Sequence, residues 1–286
     1  MEAYFIYFLT LAAIFAIGTM AYNVSAGYTG LFTLAQAGLL GVGAYTYALL
    51  TINLHWTFVT ALAAALLVPA IANGILAYSS KKIRGDAFAI LTLWFGFVVV
   101  TLFLNWRGAT RGALGLNGIP RPEFLDDTFL FLLFAVLLTA LSYIVLRRIV
   151  SSPFGRALGA VRDDEVAAVA LGKDVTRLRV TSAVVNGVFA GLAGALLAMF
   201  LGYINPTLFD ITLLVQFIGY MVVGGLGSLE GSILGTVLLL AVREAIRFVP
   251  LDPELVGAIR EIIFASILGL VILYRPRGLI GKVELE

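Results

Sequence analysis

Three observations predict an all-α polytopic membrane protein, one domain over residues 1–286, with about nine transmembrane or re-entrant helices. The 286 residues are 61% hydrophobic and 13% charged, with a mean hydropathy of +1.02, whereas soluble domains carry about 25% charged residues. No Asp, Glu, Lys or Arg occurs between Glu2 and Lys81, which is room for about three spans of about 20 residues. The apolar runs are continuous rather than alternating, which favours helices over a transmembrane barrel.

The individual segments follow from the charge-poor stretches in chain order. The nine predicted segments are roughly 3–23, 34–54, 57–79, 87–105, 128–146, 180–202, 212–226, 232–249 and 257–274. The last two carry charged residues near one end, and long charged side chains at a helix end can reach the membrane interface. The glycine-rich stretch 24–45 is also compatible with a partly re-entrant segment, so the count is good to about one.

The basic residues predict the orientation of the chain in the membrane. Thirteen of the 19 Lys and Arg residues fall in three regions, the loop 81–84, the loop 147–179 and the tail from 275, and nine spans place all three on one side. Cytoplasmic loops carry an excess of Lys and Arg. We therefore expect the C-terminus in the cytoplasm of a bacterial or archaeal cell and the N-terminus outside. This asymmetry accounts for the net charge of +2 without a nucleic-acid partner.

The residues needed for most kinds of chemistry are missing. The sequence has no cysteine, which excludes thiolate catalysis and Cys-ligated metals, and its one histidine, His55, excludes a multi-histidine metal site. It has neither a GxxxxGK[ST] phosphate-binding loop nor a GxSxG nucleophile motif, and Gly225–Gly231 is interpreted as a tight turn between helices. We expect no catalytic residue, metal or cofactor in this chain. The predicted spans also lack a carboxylate near the midplane, which disfavours an ion-coupled carrier.

The one substantial basic loop, residues 147–179, is expected to dock on another protein. Ser152–Gly155 should break the preceding helix, and Arg156–Leu171 is predicted to be a helix with small and apolar contact residues. Gly172 fits the position after a helix C-terminus. A solvated connector is the alternative, but the length of the loop and its small-residue helix favour docking into a groove.

Several stretches, in order, resemble one family. SPFGRALGAVRDDEVAAVALGKDVTRLRV (152–180) resembles the cytoplasmic coupling region of LivM-type permeases of branched-chain amino-acid ABC importers. Glu165–Gly172 is similar to the importer pattern of Glu-Ala-Ala, three residues and Gly, with Val166 inserted after the acid. Four further stretches resemble Gly-rich or polar signatures of the family: Gly27–Leu50, Arg84–Val98, Asn105–Pro122 and Gly219–Leu239.

The resemblance implies an ABC-importer permease fold and a division of labour. A second homologous permease subunit would complete the pathway, two cytoplasmic ABC ATPases would bind the ATP, and a periplasmic solute-binding protein would deliver substrate. The outer loop Asn105–Asp127 is either a docking ledge for that protein or a solvated connector. The implied ATPase-coupling residues are Arg156, Arg162, Asp163, Asp164, Glu165, Ala167, Ala168 and Gly172.

Small and polar residues within the spans suggest packing and pathway roles. Gly187, Gly191, Gly231 and Gly235 recur at four-residue spacing, which lets helices approach closely in a membrane. The two most glycine-interrupted segments, Gly27–Gly43 and Gly219–Gly235, are the best sequence pointers to a transport site. Candidate pathway residues near these interruptions are Asn23, Thr33, Gln36 and Gln216, with Asn186 facing the next span.

Alternatives to the importer permease remain at this point. A permease of a urea or short-amide ABC importer would share these signatures. An autonomous secondary carrier or channel for small neutral solutes would need neither an ATPase nor a binding protein. A membrane enzyme is disfavoured by the missing catalytic groups.

Overall fold

The computed structural model describes residues 2–83, 85–245, 253–275 and 277–281 as an almost wholly helical chain. Its helices are α1 (Glu2–Asn23), α2 (Gln36–Ile52), α3 (Phe58–Ser79), α4 (Asp86–Asn105), α5 (Arg107–Thr110), α6 (Thr128–Ser151), α7 (Pro153–Asp163), α8 (Glu165–Ala170), α9 (Val175–Leu201), α10 (Ile211–Gly224), α11 (Leu229–Ala245) and α12 (Pro253–Tyr274). Two short strands, β1 (Leu116–Asn117) and β2 (Tyr203–Ile204), pair antiparallel, with Leu116 opposite Ile204.

Each of the nine predicted segments overlaps one of these helices, so the all-α polytopic prediction is confirmed. Within the described residues, six stretches are long and apolar enough to cross a membrane: Tyr4–Tyr28, Phe58–Ser79, Asp86–Asn105, Thr128–Ser151, Val175–Leu201 and Pro206–Gly224. The helix α2 and the stretch Glu261–Tyr274 are shorter apolar helices. Positions 246–249 of the eighth predicted segment lie outside the described residues. The count of nine spans is therefore not established.

The helix α9 is the centre of the bundle because its small residues allow three neighbours to approach it. It packs against α1, α2 and α3. Of its 18 most apolar consecutive residues 72% are buried, compared with 22% for the corresponding stretch of α4. An added Cβ at Gly187 would lie 2.6 Å from the Ala70 Cα, and one at Gly191 would lie 2.2 Å from the Ala65 oxygen. Close backbone approach of this kind is what holds apolar helices together in lipid, where there is no hydrophobic drive between them.

The pair α10 and α11 packs in the same way. An added Cβ at Gly231 would lie 2.3 Å from the Gly224 oxygen, and one at Gly235 would lie 2.2 Å from the Tyr220 oxygen. The turn that joins the two helices contains Gly225 and Gly227, both with positive φ. The predicted tight turn over Gly225–Gly231 is confirmed for positions 225–228, whereas Leu229–Gly231 already belong to α11.

A second interruption separates α1 from α2. The chain leaves α1 through a π-helical turn, Val24–Tyr28, and runs without regular helix until Gln36. The Tyr22 hydroxyl donates to the Thr33 oxygen at 2.7 Å, and the Leu34 N–H donates to Thr92 Oγ1 at 2.9 Å. These bonds satisfy backbone groups that a helix would otherwise have paired, which is a requirement at membrane depth.

Basic segments gather at one end of the bundle, called here the α7 end because it carries α7 and α8. The turn between α3 and α4 lies beside the start of α9, where Ser80, Glu165 and Arg179 line the same groove. The segment after α12 reaches this end too, since the Leu279 N–H donates to the Val223 oxygen at 2.9 Å. The opposite end, called here the β1 end, carries the β1–β2 pair.

We expect Gly187→Ala to destabilise the protein because the new methyl group has no room against α3. Overpacking of this kind costs about 1–3 kcal/mol, measurable as a lower midpoint of thermal unfolding in detergent. Gly269→Ala is the matched control, since an added Cβ there meets nothing within 4 Å. It should cause no loss, because alanine favours a helix more than glycine does. Equal midpoints for the two variants would contradict the packing of α3 on α9.

Candidate functional site

The predicted docking region is two helices and not one. Ser152 caps α7, where its side chain accepts from the Gly155 N–H and Pro153 occupies the first turn, so the predicted break before α7 is confirmed. The prediction of a continuous helix from Arg156 to Leu171 is wrong. The chain becomes extended at Asp164, with φ −156° and ψ 105°, and Asp164 Oδ1 accepts from the Ala167 N–H at 2.9 Å. Asp is a preferred N-cap residue, which explains why a new helix begins here.

The short helix α8 ends as the sequence predicts. Gly172 follows it with φ +75°, and the Lys173 N–H donates to the Ala168 oxygen at 3.0 Å. This is the pattern by which a glycine in the left-handed conformation closes a helix.

The charged residues of this region have partners within the chain. Arg179 and Glu165 form a two-pronged ion pair, with Nη2 to Oε2 at 3.0 Å and Nη1 to Oε1 at 3.4 Å. Arg162 pairs with Asp163 at 2.8 Å. The sequence interpretation assigned Arg162, Asp163, Asp164 and Glu165 to a partner surface. In the structure each of these four residues forms a hydrogen bond or ion pair within the chain, and these bonds stabilise α7 and α8.

The exposed surface of α8 is apolar. Leu158, Val161 and Ala168 are buried against the rest of the chain. Val166 is 79% exposed, Val169 56% and Leu171 75%. The sequence interpretation assigned the contact to the acidic residues and missed this apolar surface. Val166, which interrupts the Glu-Ala-Ala pattern, was the sequence signal that could have indicated it. Of the other predicted coupling residues, Arg156, Ala167 and Gly172 are exposed.

The end of α7 is bonded to the first interruption. Arg162 Nη1 donates to the Gly27 oxygen at 3.0 Å, across 135 residues of sequence. Gly30 also contacts this arginine, because an added Cβ there would lie 3.3 Å from the Arg162 Cα. A displacement of α7 therefore acts directly on the segment between α1 and α2.

The first interruption is in turn bonded to the second through one side chain, Asn23. Its Nδ2 lies 3.0 Å from the Gly225 oxygen, 3.0 Å from the Ser228 oxygen and 2.7 Å from Ser232 Oγ. Its Oδ1 accepts from the Gly227 N–H at 2.9 Å. Every polar atom of this fully buried amide is thus used to join α1 to the turn between α10 and α11.

A glycine is required where the two interruptions touch. An added Cβ at Gly27 would lie 2.6 Å from the Gly227 nitrogen, inside any normal contact distance. The structure therefore brings together the two glycine-interrupted segments that the sequence singled out separately.

The other predicted pathway residues do not form one cluster with Asn23. Gln36 donates from Nε2 to the Gly18 oxygen at 3.0 Å, and its buried Oε1 has no partner in the described chain. Asn186 is fully buried, and neither amide atom has a partner there. Thr33 is buried, and its Oγ1 accepts from the Ala35 N–H. Gln216 lies apart from these residues and lines a cavity near the β1 end.

Replacing Asn23 by Ala should loosen the contact between the two interruptions. The variant leaves the Gly227 N–H and the Gly225 oxygen without this partner, and each unsatisfied buried group costs about 1–3 kcal/mol. The Ser228 oxygen still accepts from the Ser232 N–H. We expect faster hydrogen exchange in a peptide spanning 224–232 and a lower unfolding midpoint. Asn105→Ala is the control, since among the described residues that exposed amide bonds to the Thr101 oxygen of its own helix. Unchanged exchange in 224–232 would contradict a holding role for Asn23.

Comparison with known proteins gives consistent relatives along the chain. Residues 4–271 match the family described as branched-chain amino acid transport system, permease component. The LivM permease proteins of the high-affinity branched-chain amino acid transport systems of Salmonella typhimurium and Escherichia coli K12 are 34% and 33% identical, over 95% of this chain and 68% of each relative.

A second kind of permease also matches. The LivH permease protein of Escherichia coli K12 is 26% identical over 100% of this chain and 99% of its own length. No solved structure matches this chain significantly. The match over residues 4–271, together with the two LivM relatives, shows that this chain belongs to the family of branched-chain amino acid transport system permease components.

Proposed function

We propose that this chain is a transmembrane permease subunit of an ATP-binding-cassette importer that moves branched-chain or related neutral amino acids across the inner membrane. The observation that carries the proposal is the family match over residues 4–271. The relatives are named as permeases and not as enzymes, so we infer that ATP hydrolysis belongs to separate subunits. No cofactor is assigned to this chain.

The partners in this proposal are a second permease, two cytoplasmic ATPases and a periplasmic binding protein. Escherichia coli K12 has both a LivM and a LivH permease protein, and this chain is similar to both. That supports a pathway formed between two homologous permeases. The β1 end, including the loop between α4 and α6, is the surface proposed for the binding protein.

The α7 end is proposed to lie in the cytoplasm. Exposed basic residues gather there, as expected for cytoplasmic loops. About nine spans then place the N-terminus outside and the C-terminus inside, with α2, α11 and α12 crossing alongside the six longer stretches.

Docking of an ATPase on α8 would couple the motion of the ATPases to the transmembrane helices. The exposed Val166, Val169 and Leu171 offer an apolar surface at an aqueous end of the molecule, where a partner groove would remove them from water. Motion of the ATPases would then displace α7. The Arg162 bond to Gly27 and the Asn23 bonds to the turn at Gly225–Ser228 would carry that displacement to both interrupted regions as a rigid-body switch.

Two buried amides, on α2 and α9, need a partner that the described chain does not supply. Gln36 Oε1 and both polar atoms of Asn186 are buried without a partner in the described chain. Buried polar groups are nearly always hydrogen-bonded, and each exception requires an explanation. We infer that water or a passing solute bonds to these amides.

The other candidate functions are less well supported. A urea or short-amide importer and an autonomous carrier or channel remain alternatives. The relatives named above are all branched-chain amino acid permeases, which favours neither alternative.

Purification of the intact complex tests the proposal. The tagged chain, extracted from native membranes in mild detergent, should bring down a second multi-span permease and P-loop ATPases, identified by mass spectrometry. With the binding protein, the reconstituted complex should import leucine only when ATP is supplied. A chain that purifies alone and moves leucine without ATP would overturn the proposal in favour of a carrier.

Val166→Asp combined with Val169→Asp should release the ATPases from this complex, because two buried carboxylates would replace two apolar contacts. We expect ATP-driven uptake to fall about tenfold or more, while the second permease still co-purifies. Lys81→Asp is the control, since it changes charge at an exposed position of the same end outside α8. Full retention of the ATPases by the double variant would exclude α8 as the docking element.

A further inference from the structure

We propose that a cavity at the β1 end, enclosed by α1, α9, α10 and α11, is a binding site for a zwitterionic amino acid with an apolar side chain. The inference rests on the proposed function, because it places the transported solute in a named site of this subunit. Neither the family match nor the relatives' names locate such a site.

The cavity is large enough for a small ligand and has walls from four helices. Its volume is about 460 Å³, within the range of about 300–1,000 Å³ typical of ligand pockets. The wall residues from α1 are Tyr7, Leu11 and Phe15, and those from α9 are Leu197 and Leu201. The remaining wall residues are Thr207, Leu208, Asp210, Thr212, Leu213, Gln216, Leu240, Arg243 and Glu244.

Charges of both signs meet at the rim of this cavity. Arg243 and Glu244 are in the last turn of α11, and Asp210 is the N-cap of α10. All three are half-buried. Asp210 Oδ1 accepts from the Thr212 N–H at 2.8 Å, and Glu244 Oε2 accepts from the Tyr4 hydroxyl. These bonds fix the two carboxylates around the cavity mouth. The Arg243 side chain belongs to the same lining and is held by a hydrogen bond with Tyr220.

A cation and two anions around one mouth match the two charges of an amino acid. The ligand carboxylate can bond to Arg243, because a guanidinium forms strong two-pronged bonds to carboxylates. The ligand ammonium can bond to Glu244 and Asp210. A ligand without the carboxylate loses the bonds to Arg243, and one without the ammonium loses the bonds to the two carboxylates. A ligand that carries both groups therefore makes the largest number of charged hydrogen bonds at this rim.

Below the rim the cavity is apolar. Leu240 lies about one turn inward from Arg243 along α11, and Phe15 and Leu197 complete the floor with Leu213. The four floor residues are buried. Gln216 is the polar group at this depth, and its Oε1 accepts from the Tyr220 hydroxyl at 3.4 Å. Because the mouth of the cavity is charged and its floor is apolar, the cavity favours a ligand with a charged head and a short apolar tail.

Interface snorkelling explains these charges less well. A charged side chain that only reaches for water needs no partner of opposite sign and no cavity. Here charged residues from two helices converge on a shared space, and a tyrosine from a third helix orients one of them. The arrangement is that of a site, with polar groups placed at the mouth of an apolar pocket.

The absence of cysteine from this chain permits a direct test by site-directed labelling. Thr212→Cys places a thiol in the cavity wall of the complete importer, reconstituted in nanodiscs so that both faces are accessible. We expect L-leucine to slow labelling of this chain by a thiol reagent. At equal concentration, 4-methylpentanoate, which lacks the ammonium, and isopentylamine, which lacks the carboxylate, should not slow it.

A second substitution tests the role of the rim. Adding Arg243→Gln to the Thr212→Cys variant should raise the leucine concentration needed for protection about tenfold or more, since a charged hydrogen bond is lost. Arg148→Gln, an exposed arginine at the α7 end and outside the cavity lining, should leave protection unchanged. Lys82→Cys, exposed in the turn between α3 and α4 and also outside the cavity, should be labelled at the same rate with and without leucine.

Three results would overturn the site: a Thr212→Cys thiol that is not labelled, labelling that leucine does not slow, or protection that survives Arg243→Gln. Failure of the proposed function is a separate outcome. In that case the unmodified complex shows no ATP-driven leucine uptake. If the complex imports leucine but leucine does not protect the Thr212→Cys thiol, the result contradicts the site alone.

Discussion

The arrangement of this bundle depends on the hydrogen bonds of one buried amide, Asn23. At membrane depth no water replaces a lost backbone bond, so each interruption of a helix must be satisfied by the protein itself. Asn23 does this for the turn between α10 and α11, donating to Gly225 and Ser228 and accepting from Gly227. Gly27 allows the contact because its missing side chain leaves room for the Gly227 nitrogen. Two irregular segments far apart in sequence thus become one structural unit.

This unit lies beside the element proposed to contact the ATPases. Arg162 spans the gap, with its guanidinium on the Gly27 oxygen and its stem against Gly30. The glycine contacts of α9 with α3 and of α10 with α11 are tight, so these helices would move together rather than deform. Each helix pair is closely packed, and a single polar junction connects the pairs. This arrangement favours a rigid-body movement of whole helices over a local change within one helix. The cavity at the opposite end is lined by α1, α10 and α11, the three helices that this junction joins, together with α9.

The sequence predicted the helices well and their interactions only in part. Each of the nine segments predicted from hydropathy overlaps a helix, because continuous apolar runs are a strong signal. The four-residue glycine spacing identified helix faces but could not say that Gly187 meets Ala70. The prediction of one helix from Arg156 to Leu171 was wrong, because the chain becomes extended at Asp164 and this residue caps a new helix. The sequence shows that an Asp is present but not that the backbone is extended there. Asn23 was chosen for its polarity, whereas its partners 202–209 residues away depend on tertiary packing that composition does not reveal.

A double-mutant cycle between Arg162 and Asn23 tests the central claim most directly. The measured quantity is leucine uptake per ATP hydrolysed by the reconstituted importer, for Arg162→Ala, Asn23→Ala and the double variant. Residues without shared partners give additive effects, whereas residues in one network do not. If α7 acts on the second interruption through Gly27 and Asn23, the double variant should lose little more than the worse single variant. Additive losses would show that the two side chains act independently, which would contradict this account.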